Sequence, residues 1–115
     1  MNYLTDCPIN AEIFLKNDAF TSRGAYSGLY NLSSQINGKP SYVESGRILA
    51  IWYFKDFWLI GKTSNIGSNS GAFYTKNEFG GLTDSRNKWY YLSFYDGWKE
   101  AGSNDVIIQC TQQSK

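Results

Sequence analysis

Residues 47–60 constrain this chain more than any other stretch. Arg47 to Phe54 reads RILAIWYF, and after Lys55-Asp56 the chain resumes with Phe57-Trp58-Leu59-Ile60. Successive side chains of a strand point to opposite faces. Ile48, Ala50, Trp52 and Phe54 therefore share one face, and Leu49, Ile51 and Tyr53 the other. Both faces are apolar, so the strand needs cover on both sides, unlike a strand with one solvated face. Lys55-Asp56 is a polar interruption of hairpin length and reads as a tight reversal. Trp52, Phe54, Trp58 and Ile60 are expected to be largely buried in the resulting hairpin.

Shorter strand signals surround this hairpin. Ala11–Leu15 alternates, and Gly24 to Tyr30 interleaves small with larger residues. Asn37-Gly38 suits a type I′ turn, which needs positive φ at both central positions. It should join a strand around Gly28–Ser33 to one around Ser41–Glu44, with Pro40 at a strand start or an edge. Gly61 to Gly71 is rich in Gly, Ser and Asn and reads as a flexible loop. Ala72–Thr75, Lys88–Tyr95, Trp98–Ala101 and Val106–Cys110 complete the series, punctuated by Gly80-Gly81, Asp96-Gly97 and Gly102-Ser103-Asn104. No segment sustains a capped helical period. The expectation is an all-β fold, an antiparallel β-sandwich or small β-barrel of about eight short strands. It should be a single domain over residues 1–115, with a polar tail after Cys110.

Cys7 and Cys110 lie near opposite ends of the patterned region. Chain ends of compact domains often lie close together, so a bridge between them is geometrically reasonable. It would reinforce a thin core. The bridge, with the sequon Asn31-Leu32-Ser33, favours a secreted, extracellular setting. The net charge is +1 with both signs scattered, which supplies no basic face for nucleic acid. The apolar runs are too short to span a bilayer as helices, so no membrane insertion is expected.

The order Gly28-Leu29-Tyr30, Asn37-Gly38-Lys39-Pro40-Ser41-Tyr42, Ile51-Trp52-Tyr53 and Trp58-Leu59-Ile60-Gly61 resembles a β-rich module of extracellular invertebrate and protist proteins. The resemblance covers Gly24 to Gly61, about a third of the chain. It implies β structure and surface display, with the matching residues serving the fold. In size and composition the chain is also similar in kind to small marine-invertebrate lectins.

Four Trp, nine Tyr and seven Phe stand in a chain without histidine. Histidine is the commonest general base and the commonest metal ligand, so a binding module is favoured over an enzyme. No metal motif and no phosphate loop is present, and no cofactor is expected. Carboxylates at Glu78, Asp84, Asp96 and Glu100 leave a glycosidase pair conceivable, but surface carboxylates more often simply solvate a fold.

Gly80 to Glu100 is the richest segment. It places Asp84, Arg86, Asn87 and Asp96 among Trp89 and Trp98. A sugar presents hydroxyls and an apolar C–H face, so its site needs planar polar groups beside an aromatic platform. A glycan-binding, lectin-like protein using Asp84, Arg86, Asn87, Trp89, Asp96 and Trp98 is therefore one expectation, with a homodimer supplying avidity. The other is an extracellular protein-interaction or structural domain with aromatic anchors. The same aromatics also suit core packing.

Overall fold

The computed structural model describes residues 7–16, 26–46, 48–93, 97–102 and 105–111. Of the positions singled out above, Gly24, Ala25, Arg47, Phe94, Tyr95, Asp96, Ser103, Asn104 and residues 112–115 of the polar tail lie outside these residues. The strands are β1 (Asn10–Leu15), β2 (Gly28–Ile36), β3 (Lys39–Glu44), β4 (Leu49–Phe54), β5 (Phe57–Lys62), β6 (Phe73–Lys76), β7 (Trp89–Ser93), β8 (Gly97–Glu100) and β9 (Val106–Thr111). All pair antiparallel in one nine-stranded sheet, ordered β8-β7-β6-β5-β4-β3-β2-β1-β9. β1 to β8 form a meander, and β9 returns to the far edge beside β1.

The sheet is strongly curled. Across a flat sheet β7 and β9 would lie about 33 Å apart, seven inter-strand spacings away. Yet Trp89 of β7 joins Val106 and Ile108 of β9 in one core, with Leu82. The result is a half-barrel. Of the two closures expected, the sandwich is not the one formed.

The central hairpin forms as its alternation requires. Leu49, Ile51, Trp58 and Ile60 enter the concave core, whereas Ala50, Trp52 and Leu59 make a second cluster on the convex face. Trp52, Trp58 and Ile60 are fully buried, Phe54 is half-buried, and Ile48, placed by parity with the buried face, stands outside at 63% exposure. β4 begins only at Leu49, which leaves Ile48 beyond the covered part of the sheet. The reversal pairs Phe54 with Phe57 and holds Lys55 and Asp56 at φ 44° and 74°. Asn37 and Gly38 likewise adopt φ 57° and 88°, joining β2 to β3.

A second sheet is not what covers the convex face. After β5 a short 3-10 turn (Thr63–Asn65) leads into a segment that packs back over Trp52. The Trp52 indole donates to the Ser68 carbonyl at 2.8 Å, and Ile66 joins the cluster. The Gly61–Gly71 stretch is thus a lid on the second core, contrary to the expectation of a flexible loop. Its glycines permit this contact: a Cβ at Gly61 would stand 2.9 Å from Gly71 Cα and 3.0 Å from Trp52 Cη2.

Cys7 and Cys110 form the expected disulfide, with Cα atoms 5.0 Å apart across a sequence separation of 103. Cys110 pairs with Ala11 in the β1–β9 ladder, and the Tyr42 hydroxyl donates to the Cys7 carbonyl at 2.6 Å. The bridge therefore ties β9, the last strand, to the core beneath β3.

Candidate functional site

The residues expected to share one surface are divided by the fold. Strand parity sets the division. On β7, Trp89 points into the concave core and is 5% exposed, while Tyr90 points outward. The Trp89 indole is therefore a core group and offers no platform for a ligand, which corrects its assignment to the site. Trp98 lies opposite Leu92 on β8 and is exposed on the convex face. Asp96 lies outside the described residues.

Asp84, Arg86 and Asn87 do come together, in the loop between β6 and β7. Asp84 Oδ1 accepts from the Arg86 backbone N–H and from Nε, each at 2.9 Å. Its Oδ2 accepts from Arg86 Nη2 at 2.9 Å and from the Gly80 N–H at 3.0 Å. Both oxygens are thus occupied by the loop itself. The Arg86 guanidinium, the largest cause, holds the Asp84 carboxyl well below the usual carboxylate range, and Asp84 in turn raises Arg86. Asn87 donates to the Gly81 and Leu82 carbonyls at 2.8 and 3.3 Å. This trio builds a loop; its carboxylate has no capacity left for a sugar hydroxyl. Arg86 nevertheless retains exposed donors and stacks 4.8 Å from the Phe79 ring centroid.

Phe79 leads to the arrangement that sequence reasoning missed. Tyr74 of β6 stands outward between β5 and β7, and three aromatic side chains gather around it. Tyr90 stacks on it at 5.0 Å with planes 15° apart. Trp98 meets it edge to face at 4.8 Å, and Phe57 does so at 5.5 Å. Tyr74, Tyr90 and Phe57 are half-buried and Trp98 is 44% exposed.

Two shallow grooves flank the Phe57–Tyr74 ridge. One, of about 370 Å³, runs between Tyr90, Phe79, Lys76, Glu78 and Lys88. The other, of about 390 Å³, runs between Trp98, Phe54, Lys55, Leu59 and Asn69. Polar groups of both charge signs therefore border aromatic rings over a continuous outer surface. Lys55 borders the second groove from the two-residue reversal of the β4–β5 hairpin, with its ammonium 5.3 Å from the Phe54 ring centroid.

Among the described residues no group of three or more His, Cys, Asp or Glu gathers as metal ligands. No helix among them is long and apolar enough to cross a membrane. Comparison with known family models, curated proteins and solved structures returns no match.

Proposed function

We propose that this chain is a non-catalytic, secreted glycan-binding module whose contact surface is the convex aromatic strip around Tyr74. The observation that supports it most is the pair of adjacent grooves on either side of the Phe57–Tyr74 ridge, each lined by rings and by charged or amide side chains. A sugar ring packs its C–H face on an exposed indole while its hydroxyls accept hydrogen bonds from neighbouring Lys and Asn groups and donate to Glu. Two grooves in series suit two or more linked sugars better than one. The disulfide fits an oxidising, extracellular setting. The reading keeps Trp98 from the six residues singled out by sequence, keeps Arg86 as a neighbour through Phe79, and replaces Asp84 and Trp89 with Tyr74, Tyr90 and Lys55.

Each groove buries little of a ligand, so a single site binds weakly and avidity from a homodimer would raise the effective affinity. A glycan array probed with the purified protein tests the reading directly. Trp98→Ala and Tyr74→Ala should each lower binding to the retained glycans at least tenfold. Trp98→Ala should shift the melting temperature by no more than a few degrees, because that side chain is exposed. An array without retained glycans overturns the glycan reading. It leaves the strip as a protein interface, where exposed aromatic residues commonly act as anchors.

A further inference from the structure

We propose that Asn31 is a covalent modification site, the acceptor of an N-linked oligosaccharide, on the convex face but apart from the aromatic strip. The proposal rests on the secreted reading above, because such transfer belongs to the compartment in which the disulfide also forms. Asn31-Leu32-Ser33 is an acceptor tripeptide whose central residue is not proline. A tripeptide whose asparagine the fold buries or binds cannot carry a sugar, so the placement of Asn31 decides its use.

Strand parity sets that placement. Tyr30 enters the concave core, so Asn31 faces the convex side, opposite Asn10 of β1 and Val43 of β3. It is exposed there. Four other asparagines are committed to the fold. Asn10 Oδ1 accepts from the Leu32 N–H at 3.2 Å, and Asn77 Oδ1 accepts from the Trp58 indole at 3.3 Å. Asn37 Nδ2 donates to the Tyr53 carbonyl at 2.7 Å, and Asn87 Nδ2 to the Gly81 carbonyl at 2.8 Å. Asn31 makes no side-chain hydrogen bond among the described residues, so substitution at its Nδ2 breaks nothing there.

The rest of the tripeptide is as open. Every residue from Asn31 to Gln35 is exposed. Asn10, the first residue of β1, lies opposite Asn31, and Ile9 adds one bond from the Leu32 N–H at 3.1 Å. A register shift between Leu32 and Gln35 then puts Ser33 at a break in the β2–β3 ladder. Leu29 supplies an independent observation. It stands two residues before Asn31 on the same face, about 7 Å away, and is 38% exposed. A sugar on Asn31 reaches over Leu29 on one side and the half-buried Val43 on another, covering apolar surface that the sheet leaves in water. The strip stays clear, because Tyr74 lies on β6, four strands and about 19 Å along the sheet from β2.

The donor this transfer needs is a lipid-linked oligosaccharide diphosphate. Asn31 Nδ2 forms a bond to C1 of the first sugar. The C1–O bond to the diphosphate breaks, and the lipid diphosphate leaves with that electron pair. One Nδ2 proton passes to a base of the transferase.

Expression in cultured insect cells behind a cleavable secretory leader tests the site by mass spectrometry of the secreted and the retained chain. At least half of the molecules should carry one oligosaccharide, and peptide N-glycosidase should remove it and leave aspartate at position 31. Asn31→Gln and Ser33→Ala should each abolish the mass increment, and Ser33→Thr should keep it. An unmodified chain overturns the proposal, as does an increment that survives Ser33→Ala. The thiols then tell whether the secreted reading falls too. An unmodified chain with the Cys7–Cys110 bridge formed leaves that reading standing, whereas an unmodified chain with both thiols alkylatable counts against both.

Discussion

Asp84 illustrates how a residue of suitable chemistry can be committed to its own loop. Its carboxylate accepts four hydrogen bonds, three of them from Arg86. Gly80, whose N–H supplies the fourth, has no Cβ to collide with that carboxylate. The consequence for pH has a definite sign. The folded-state pKa lies below the unfolded value of about 3.9, so the stabilisation is fully present above that pH. It is lost only as the pH falls further, through the depressed folded value. Asp84→Asn should therefore melt below wild type at neutral pH, and the difference should narrow as the pH drops below about 4 in thermal melts. A difference independent of pH would mean that the ionised carboxylate is not its source. Glycan binding by the same variant should be retained at temperatures where it is folded, since Asp84 does not line the grooves beside Tyr74.

At the scale of elements, the β4–β5 hairpin and its lid depend on one another. Trp52 fills the convex-side core, and its indole N–H is satisfied by the lid at Ser68. Trp52→Ala should cost about 3–5 kcal/mol in chemical denaturation, the range for removing a large buried aromatic. Gly61→Ala adds a methyl where Gly71 and Trp52 already stand, and should cost about 1–3 kcal/mol by overpacking. A neutral Gly61→Ala would show that the lid does not press on the hairpin. The hairpin was legible in sequence because both its faces are apolar and its turn is short. Tyr30, Tyr42, Trp52 and Trp58 are all fully buried and serve the core. The lid was not legible, because glycines that allow close contact have the same composition as glycines in a loose loop. Trp89-Tyr90-Tyr91 was ambiguous for a related reason. With aromatics at three successive positions, alternation alone does not say which ring faces the core. Tyr74 was missed because it reaches Tyr90 and Trp98 only through strand order, which a local pattern does not contain.

At the scale of the whole molecule, curvature and covalent closure act on the same place. Curling brings β9 round towards β7, yet among the described residues β9 pairs with β1 alone, so its β7-facing side is held by packing, while the Cys7–Cys110 bridge fastens β9 to the segment before β1. A bridge spanning 103 positions removes much of the freedom of the unfolded chain, worth about 4–5 kcal/mol in the chain-entropy model. Domains of this size have total stabilities of about 5–15 kcal/mol, so the bridge accounts for a large share. Replacing both cysteines by serine should lower the melting temperature by about 15–30 °C. The structure also predicts where the loss appears first. β9 holds one edge and keeps its partner β1 on one side only, whereas β4 and β5 lie inside the sheet and are covered on both faces. In hydrogen exchange of the double variant, Ile107 and Gln109 should lose protection at temperatures where Ile51 and Ile60 remain protected. The Tyr74 strip, built on β5 to β8, should still bind at those temperatures. Simultaneous loss of protection at β9 and at the central hairpin would instead make the bridge a global constraint with no local role at the edge.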